Sequence, residues 1–220
     1  MTDKADKAPS KERRYKGASK LERQTERHEQ LIAAGIAVIG SEGYQATKVK
    51  QVCQQAGLTE RYFYESFANK EALLCACYSA IIQRLKNNLI TSISQQDTEL
   101  TSAIKEALNE FFHYIEANRA AARLVMIEVL GVSDTVDSMY QKAMLEIDNI
   151  ITQASNPSYQ EHDHLWDRQV VSAGLTGAVT QIGRQWILED YKHTVELMVE
   201  SCFVLFKAAI DYLEHLSPQD

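Results

Sequence analysis

The chain has 220 residues, 45% of them hydrophobic, with only 9 Gly and 3 Pro. That length suits one large domain or two small ones, and so few chain-breaking residues favour long helices. A formal net charge of −7 excludes a protein that coats nucleic acid over its whole surface.

The charge is unevenly divided. Residues 1–70 hold 13 Lys/Arg against 9 Asp/Glu, a balance of +4, and residues 71–220 carry −11. Such a split points to a small head that meets an anion and a larger acidic body that does not. The cysteines are Cys53, Cys75, Cys77 and Cys202, none in a CxxC pair. They read as small buried apolar residues, with a redox switch as the alternative. No disulfide framework is implied, which fits a reducing compartment. The N-terminal stretch lacks the apolar core of a secretory leader. The longest apolar run, 72–82, falls short of the roughly 18 residues a membrane span needs. A cytoplasmic location is expected.

Residues 1–18 read as a disordered basic arm, either solvated or able to enter a DNA minor groove. The first helix is expected to begin between Ser19 and Thr25, with Ser19-x-x-Glu22 as a possible capping box and Gly43 as the stop. Thr47 can cap a short second helix over about 48–56, ended by Gly57. Thr59 can cap a third, and Asn69 a fourth that starts near Lys70. Two short helices flanking Gly57-Leu58 have the spacing of a helix-turn-helix. At 100° per residue, Phe63 and Phe67 share the inward face of the third helix, while Arg61 and Glu65 lie opposite. Tyr62 and Tyr64 flank that stripe. A helix of three turns has no room to bury four rings, so the outer face reads as a binding face.

The fourth helix is expected over 70–89, followed by segments near 98–117, 119–131, 134–155, 160–189 and 194–216. The chain is therefore expected to be all-α, with about nine helices. The last helix carries two apolar stripes. One runs Val195, Val199, Phe203, Phe206, Ile210 and Leu213, the other Met198, Cys202, Leu205, Ala209, Tyr212 and Leu216. Two stripes call for two packing partners, the chain's own core and a second subunit. Ala173, Gly174, Gly177 and Ala178 form a small-residue patch that permits close helix approach, within one subunit or between two. His162 and His164 lie two apart in an expected loop and read as a solvated cluster rather than a zinc site. No Walker loop, GxGxxG, GxSxG or HExxH occurs, so neither an enzyme nor a cofactor is expected.

The run "GYQATKVKQVCQQAGLTERYFYESFANKEALL", residues 43–74, resembles the TetR family of bacterial transcriptional regulators. The shared elements are Gly-aromatic, a Thr opening the second helix, an aliphatic-small pair, Ala-Gly-aliphatic-Thr, an aromatic run, and Asn-Lys-Glu-x-Leu. The likeness covers about residues 25–74. It implies a helix-turn-helix DNA-binding domain over 19–69 and a regulatory, ligand-binding and dimerisation domain over 70–220. Position by position, it implies that Thr47, Lys48 and Lys70 meet phosphates and that Lys50 points into the groove. Thr59, Tyr62, Tyr64 and Ser66 would line the reading helix and its flanks, and Arg61 would read a guanine bidentately. Capping by Thr47 and Thr59, packing of Tyr64 on the first helix, and an Arg61–Glu65 pair are the competing uses.

The resemblance further implies a homodimer through a four-helix bundle of the last two helices of each chain. Its interface would include Ala173, Gly174, Gly177, Ala178, Met198, Cys202, Leu205, Ala209 and Tyr212. It also implies a hydrophobic or amphipathic effector in the body. Candidate contacts are Tyr78, Phe111, Phe112, Tyr114, Met126, Met139, Tyr140, Trp166 and Trp186, with Glu128 facing either a cationic ligand, an arginine or solvent. The expected function is a repressor released from a palindromic operator by that effector. The alternatives are a regulator or activator governed by a protein partner, and a helical sensor that has lost DNA binding.

Overall fold

A computed structural model describes residues 19–94, 100–154 and 167–216. The described residues form nine α-helices and no strand. They are α1 (Lys20–Glu42), α2 (Val49–Ala56), α3 (Glu60–Ser66), α4 (Lys70–Ser94), α5 (Leu100–Ala117), α6 (Arg119–Arg123), α7 (Asp134–Ala154), α8 (Arg168–Leu188) and α9 (Val195–Leu216). A π-helical turn, Leu124–Glu128, continues α6. The basic arm, the break at Asn156-Pro157, His162, His164 and Trp166 lie outside the described residues.

Local chemistry sets most of the boundaries. The Ser19–Glu22 capping box opens α1: the Glu22 N–H donates to Ser19 Oγ at 3.1 Å and the Ser19 N–H to the Glu22 carboxylate. Gly57 adopts φ +66° and closes α2, and the Leu58 N–H donates to Cys53 O at 2.9 Å. A side chain there would be strained, which is why the turn between α2 and α3 needs glycine. Asn69 Oδ1 accepts from the Ala72 N–H at 2.8 Å and opens α4. That helix runs to Ser94, five residues beyond the expected end.

Helix α1 packs on α2, α3, α4 and α6, so one hydrophobic core runs unbroken from Leu31 through Phe63 and Leu73 to Trp186 and Phe206. Behind it, α5 lies against α4 and α9, and α7 against α4 and α8. Asp190 and Tyr191 join α8 to α9 with positive φ values of 52° and 58°. Side-chain contacts hold this unfavourable backbone. Tyr191 packs edge-on against Trp186 at 4.9 Å, Arg119 lies 4.1 Å over its ring, and its hydroxyl donates to Ile115 O at 3.3 Å. Burial raises the pKa of all four cysteines, Cys77 to about 12 and Cys202 to about 11. They stay as protonated packing residues, and nothing in their surroundings supplies the thiolate that redox sensing requires.

Candidate functional site

The three N-terminal helices hold α3 by its aromatic stripe. Phe63 is fully buried and tilts against Phe67 at 5.8 Å, and Phe67 stacks on His28 of α1 at 4.6 Å. Val52 and Cys53 turn the inner face of α2 onto the same core. What remains outward is Lys48, Lys50, Thr59, Arg61 and Tyr64, all exposed, with Tyr62 and Ser66 half-buried. Tyr64 is 58% exposed and touches only the edge of Phe63 among aromatic rings, so its surface is not spent on α1. Arg27 of α1 lies 4.2 Å over the Tyr62 ring, a contact the sequence reading missed because it joins residues 35 positions apart. Arg61 Nε donates to Glu65 Oε1 at 3.0 Å, yet its side chain stays 84% exposed. Such an i,i+4 pair is worth only about 0.2–0.5 kcal/mol, against about 1–3 kcal/mol for a bidentate guanine contact. The pair therefore parks the guanidinium without disabling it.

Two of the expected phosphate ligands are corrected. Thr47 does not cap α2. Its side chain is buried and Oγ1 donates to Gly43 O at 2.8 Å, closing the end of α1 instead, and Lys48 takes the N-cap position. Gln51 Oε1 satisfies the Lys48 N–H at 2.7 Å. Lys70 turns inward as well. Its ammonium donates to the carbonyls of Tyr44 at 2.7 Å, Thr47 at 3.0 Å and Gln45 at 3.5 Å, and sits 4.3 Å over the Tyr44 ring. Held chiefly by the Tyr44 and Thr47 carbonyls, it braces the α1–α2 turn from within. Desolvation accordingly lowers its pKa. Thr59 holds the N-cap position of α3 without a side-chain cap bond.

Tyr44 is clamped from the other side too. Its N–H donates to Glu128 Oε2 at 2.7 Å, while Arg123 Nε donates to Glu128 Oε1 at 3.0 Å. Glu128 thus faces neither a ligand nor solvent. It ends the π-helical turn and ties it to the α1–α2 turn. Gly43, at φ +88°, lets the two approach, since a Cβ there would stand 3.1 Å from Glu128 Oε2. The π turn gains its meaning from its other face, where Val125 and Met126 border a cavity.

That cavity, about 220 Å³, lies among α4, α5, α7, α8 and α9. Its walls are almost wholly aliphatic and aromatic, including Ile82, Leu89, Phe111, Leu175 and Phe206. Of the candidate effector contacts, Phe111, Met126 and Tyr140 line it. Tyr78, Phe112 and Trp186 are corrected to core: they are essentially fully buried, Phe112 packs edge-on against Trp186, and Trp186 Nε1 donates to His193 O at 2.9 Å. Tyr114 faces Arg84, whose guanidinium lies 5.6 Å from its ring, and Met139 Sδ meets Ser79 Oγ at 3.9 Å between α7 and α4. Neither lines the cavity. Of the cations at its walls, Lys86 is paired with Glu146 at 2.6 Å. Lys86 and the polar Thr176 were not singled out from the sequence, where nothing separates them from surface residues.

On the far side of α8 and α9, Ala173, Gly174 and Gly177 are exposed and Ala178 is half-buried. Leu205 and Tyr212 are exposed, and Ala209 is half-buried and faces the cavity. Met198 and Cys202 are corrected: at 6% and 0% exposure they belong to the chain's own core. The free apolar face of α9 is instead Leu197, Val204, Leu205, Ala208 and Tyr212. Among the described residues, no helix is long and apolar enough to cross a membrane.

Residues 31–77 match the family model described as bacterial regulatory proteins, tetR family. The HTH-type transcriptional activator FasR of Mycolicibacterium smegmatis is 29% identical over 103 residues, which are 46% of this chain and 45% of that protein. The match thus spans less than half of FasR. The fatty acid metabolism regulator protein of Bacillus subtilis is 19% identical over 185 residues, 82% of this chain and 94% of the relative. Among solved structures, FadR from Bacillus subtilis in complex with stearoyl-CoA superposes with a TM-score of 0.68 at 18% identity, covering 81% of this chain and 96% of that one. FadR from Bacillus halodurans gives 0.71 at 18% identity, covering 81% and 93%. These likenesses show a shared fold.

Proposed function

The chain belongs to the tetR family of bacterial transcriptional regulators, and on that premise we propose that it is a dimeric repressor released from a palindromic operator by a long-chain acyl effector. The observation that carries this reading is the Glu128 link, which joins the wall of an apolar cavity to the turn that sets α2.

The DNA-facing half needs Lys48, Lys50, Thr59, Arg61, Tyr62, Tyr64 and Ser66. Lys48 and Lys50 supply charge along the backbone, Arg61 leaves Glu65 for a guanine, and Glu65 is then free to accept from a cytosine amino group. Thr47 and Lys70 act as positioning residues that hold the turn. One such head contacts few base pairs. Pairing two chains through the free faces of α8 and α9 places two heads on half-sites about 34–36 Å apart, or a multiple of that.

The effector half rests on the cavity. Its length of aliphatic wall suits an alkyl chain, as does the likeness to a regulator solved with stearoyl-CoA. A chain inserted there presses on Val125 and Met126, within a π-helical turn of the kind often found at functional sites. Glu128 passes that pressure to Tyr44 and so to α2. The effector needs only the usual coupling of about 1–3 kcal/mol between the two head positions to empty an operator.

Selection of bound fragments from a random DNA library tests the DNA half. The protein is expected to enrich a palindrome, and Arg61→Ala to blur one base pair in each half-site while leaving the rest. Unaltered base preference in Arg61→Ala removes its reading role, and no enrichment at low salt favours a sensor that has lost DNA binding.

A further inference from the structure

We propose that a second, polar chamber between α7 and α8 is a head-group site for a neutral, dipolar function, an amide above all, carried by the effector. The proposal rests on the reading of the apolar cavity as an effector site and names the chemistry of the effector's other end. The chamber measures about 210 Å³ and is walled by Tyr140, Met144, Asp148, Thr176 and Arg184, with Gly177 at its edge.

Among the described residues, three polar atoms along its walls lack a hydrogen-bond partner and are themselves covered: Asp148 Oδ1, Thr176 Oγ1 and Arg184 Nε, with Asp148 and Arg184 half-buried as whole residues. Thr176 as a whole is 9% exposed. A covered donor or acceptor left unsatisfied is costly, and a folded protein keeps few of them. Three around one space is a cluster that folding alone does not explain. Each points to a complementary atom supplied by a ligand.

The three atoms also specify that ligand. Arg184 offers an N–H and asks for an acceptor. Asp148 accepts and asks for a donor. Thr176 can meet either. Among the described residues, neither Asp148 nor Arg184 makes a salt bridge, so the two charges stand together without consuming each other. Their sum is zero. A free carboxylate would gain Arg184 but face Asp148, and an ammonium would face Arg184. A neutral group with a carbonyl on one side and an N–H or O–H on the other satisfies both.

The chamber adjoins the apolar cavity, because Met126, Tyr140, Met144, Thr176 and Thr180 line both spaces. Two of these are methionines, unbranched side chains that yield to a passing chain. A ligand with an alkyl tail in the first space therefore carries its polar function into the second. In an acyl thioester whose thiol arm bears an amide, that function follows the acyl group by a few atoms. The opposite rim, at Ala173 and Gly177, is the small-residue face of α8, where a second copy of the chain would cover it.

Calorimetric titration of the full chain, stripped of bound lipid, tests the assignment. The probes are dodecanoyl N-acetylcysteamine thioester, which is neutral with an amide, methyl dodecanoate, which is neutral without a donor, and dodecanoate, which is anionic. The thioester is expected to bind about tenfold more tightly than the methyl ester, the yield of one hydrogen bond to a charged group. The free acid is expected to rank below the thioester. In Asp148→Leu and Arg184→Met, which line the polar chamber and not the apolar cavity, each checked for an intact melting transition, the advantage is expected to shrink to about twofold while methyl ester affinity holds. Equal affinity for thioester and methyl ester, or an advantage that survives in both variants, overturns the head-group site and leaves the apolar cavity standing. If no probe binds, the acyl-effector reading fails and the chamber falls with it.

Discussion

A methyl group added at Gly40 of α1 would stand 2.2 Å from Ala120 O, whereas one added at Gly174 or Gly177 of α8 would meet nothing within 4 Å. The two helices serve opposite purposes. Helix α1 is pressed against α6, α4 and the two short helices that follow it, so that the outward residues of α2 and α3 are held in one arrangement. Helix α8 lies between two spaces on its inner side and a bare small-residue face on its outer side. Rigid packing suits a surface that must match a DNA groove. Looser packing suits a body that, on the function proposed, admits a ligand and a second copy of itself. Tyr44 stands at the seam, its N–H held by the body's Glu128 and its C=O by Lys70.

The contrast can be broken most forcefully at Gly40. Gly40→Ala drives a Cβ into the backbone of Ala120, and neither helix can yield without moving the seam. A loss of about 3 kcal/mol or more is expected, read from urea unfolding. A loss below about 1 kcal/mol would mean that α1 and α6 are not pressed together as described.

Next comes Lys70→Met, which leaves the carbonyls of Tyr44 and Thr47 without their donor. A loss of about 1–3 kcal/mol is expected, together with weaker DNA binding at every sequence. If Lys70 acts as a brace rather than a phosphate contact, the slope of log affinity against log salt should stay as it was. Lys50→Ala should instead leave stability nearly unchanged and reduce that slope by about 1. A reduced slope in Lys70→Met would return it to the phosphate contacts.

The smallest effect has the opposite sign. Gly177→Ala meets no obstacle in the single chain and should stabilise α8 by about 0.5–1 kcal/mol. If α8 packs closely on a second copy, the same change weakens the dimer, and sedimentation at graded concentrations separates the two outcomes. A stabilised chain with an unchanged dimer would move the interface away from Gly177.

Residues whose partners are near in sequence were legible. The Ser19–Glu22 box, the stop at Gly57, the cap at Asn69 and the Phe63–Phe67 stripe all rest on neighbours within four positions. Thr47 was misread because an N-cap bond and a bond to the carbonyl four residues back need the same hydroxyl in the same place in the sequence. Lys70 was misread for a different reason. Glu128 does meet an arginine, Arg123, one of the uses weighed for it, but its bond to Tyr44 was not foreseen. The carbonyl that Lys70 meets and the N–H that Glu128 meets stand 26 and 84 positions away, and no local pattern announces either at that distance. The apolar stripes of α9 were visible, but both are apolar, so periodicity alone could not say that Met198 and Cys202 face inward and Val204 outward. A cavity wall has the same composition as a core, which is why Phe111 and Phe112 differ in fate while standing side by side.

The central claim is that filling the apolar cavity changes how the α2–α3 face meets DNA. It is tested most directly by fluorescence anisotropy of the selected operator with the full chain, with and without a saturating long-chain acyl thioester. Operator affinity is expected to fall by about 5–150-fold, the usual range of such coupling. Unchanged affinity, with calorimetry showing the thioester bound, would contradict the claim.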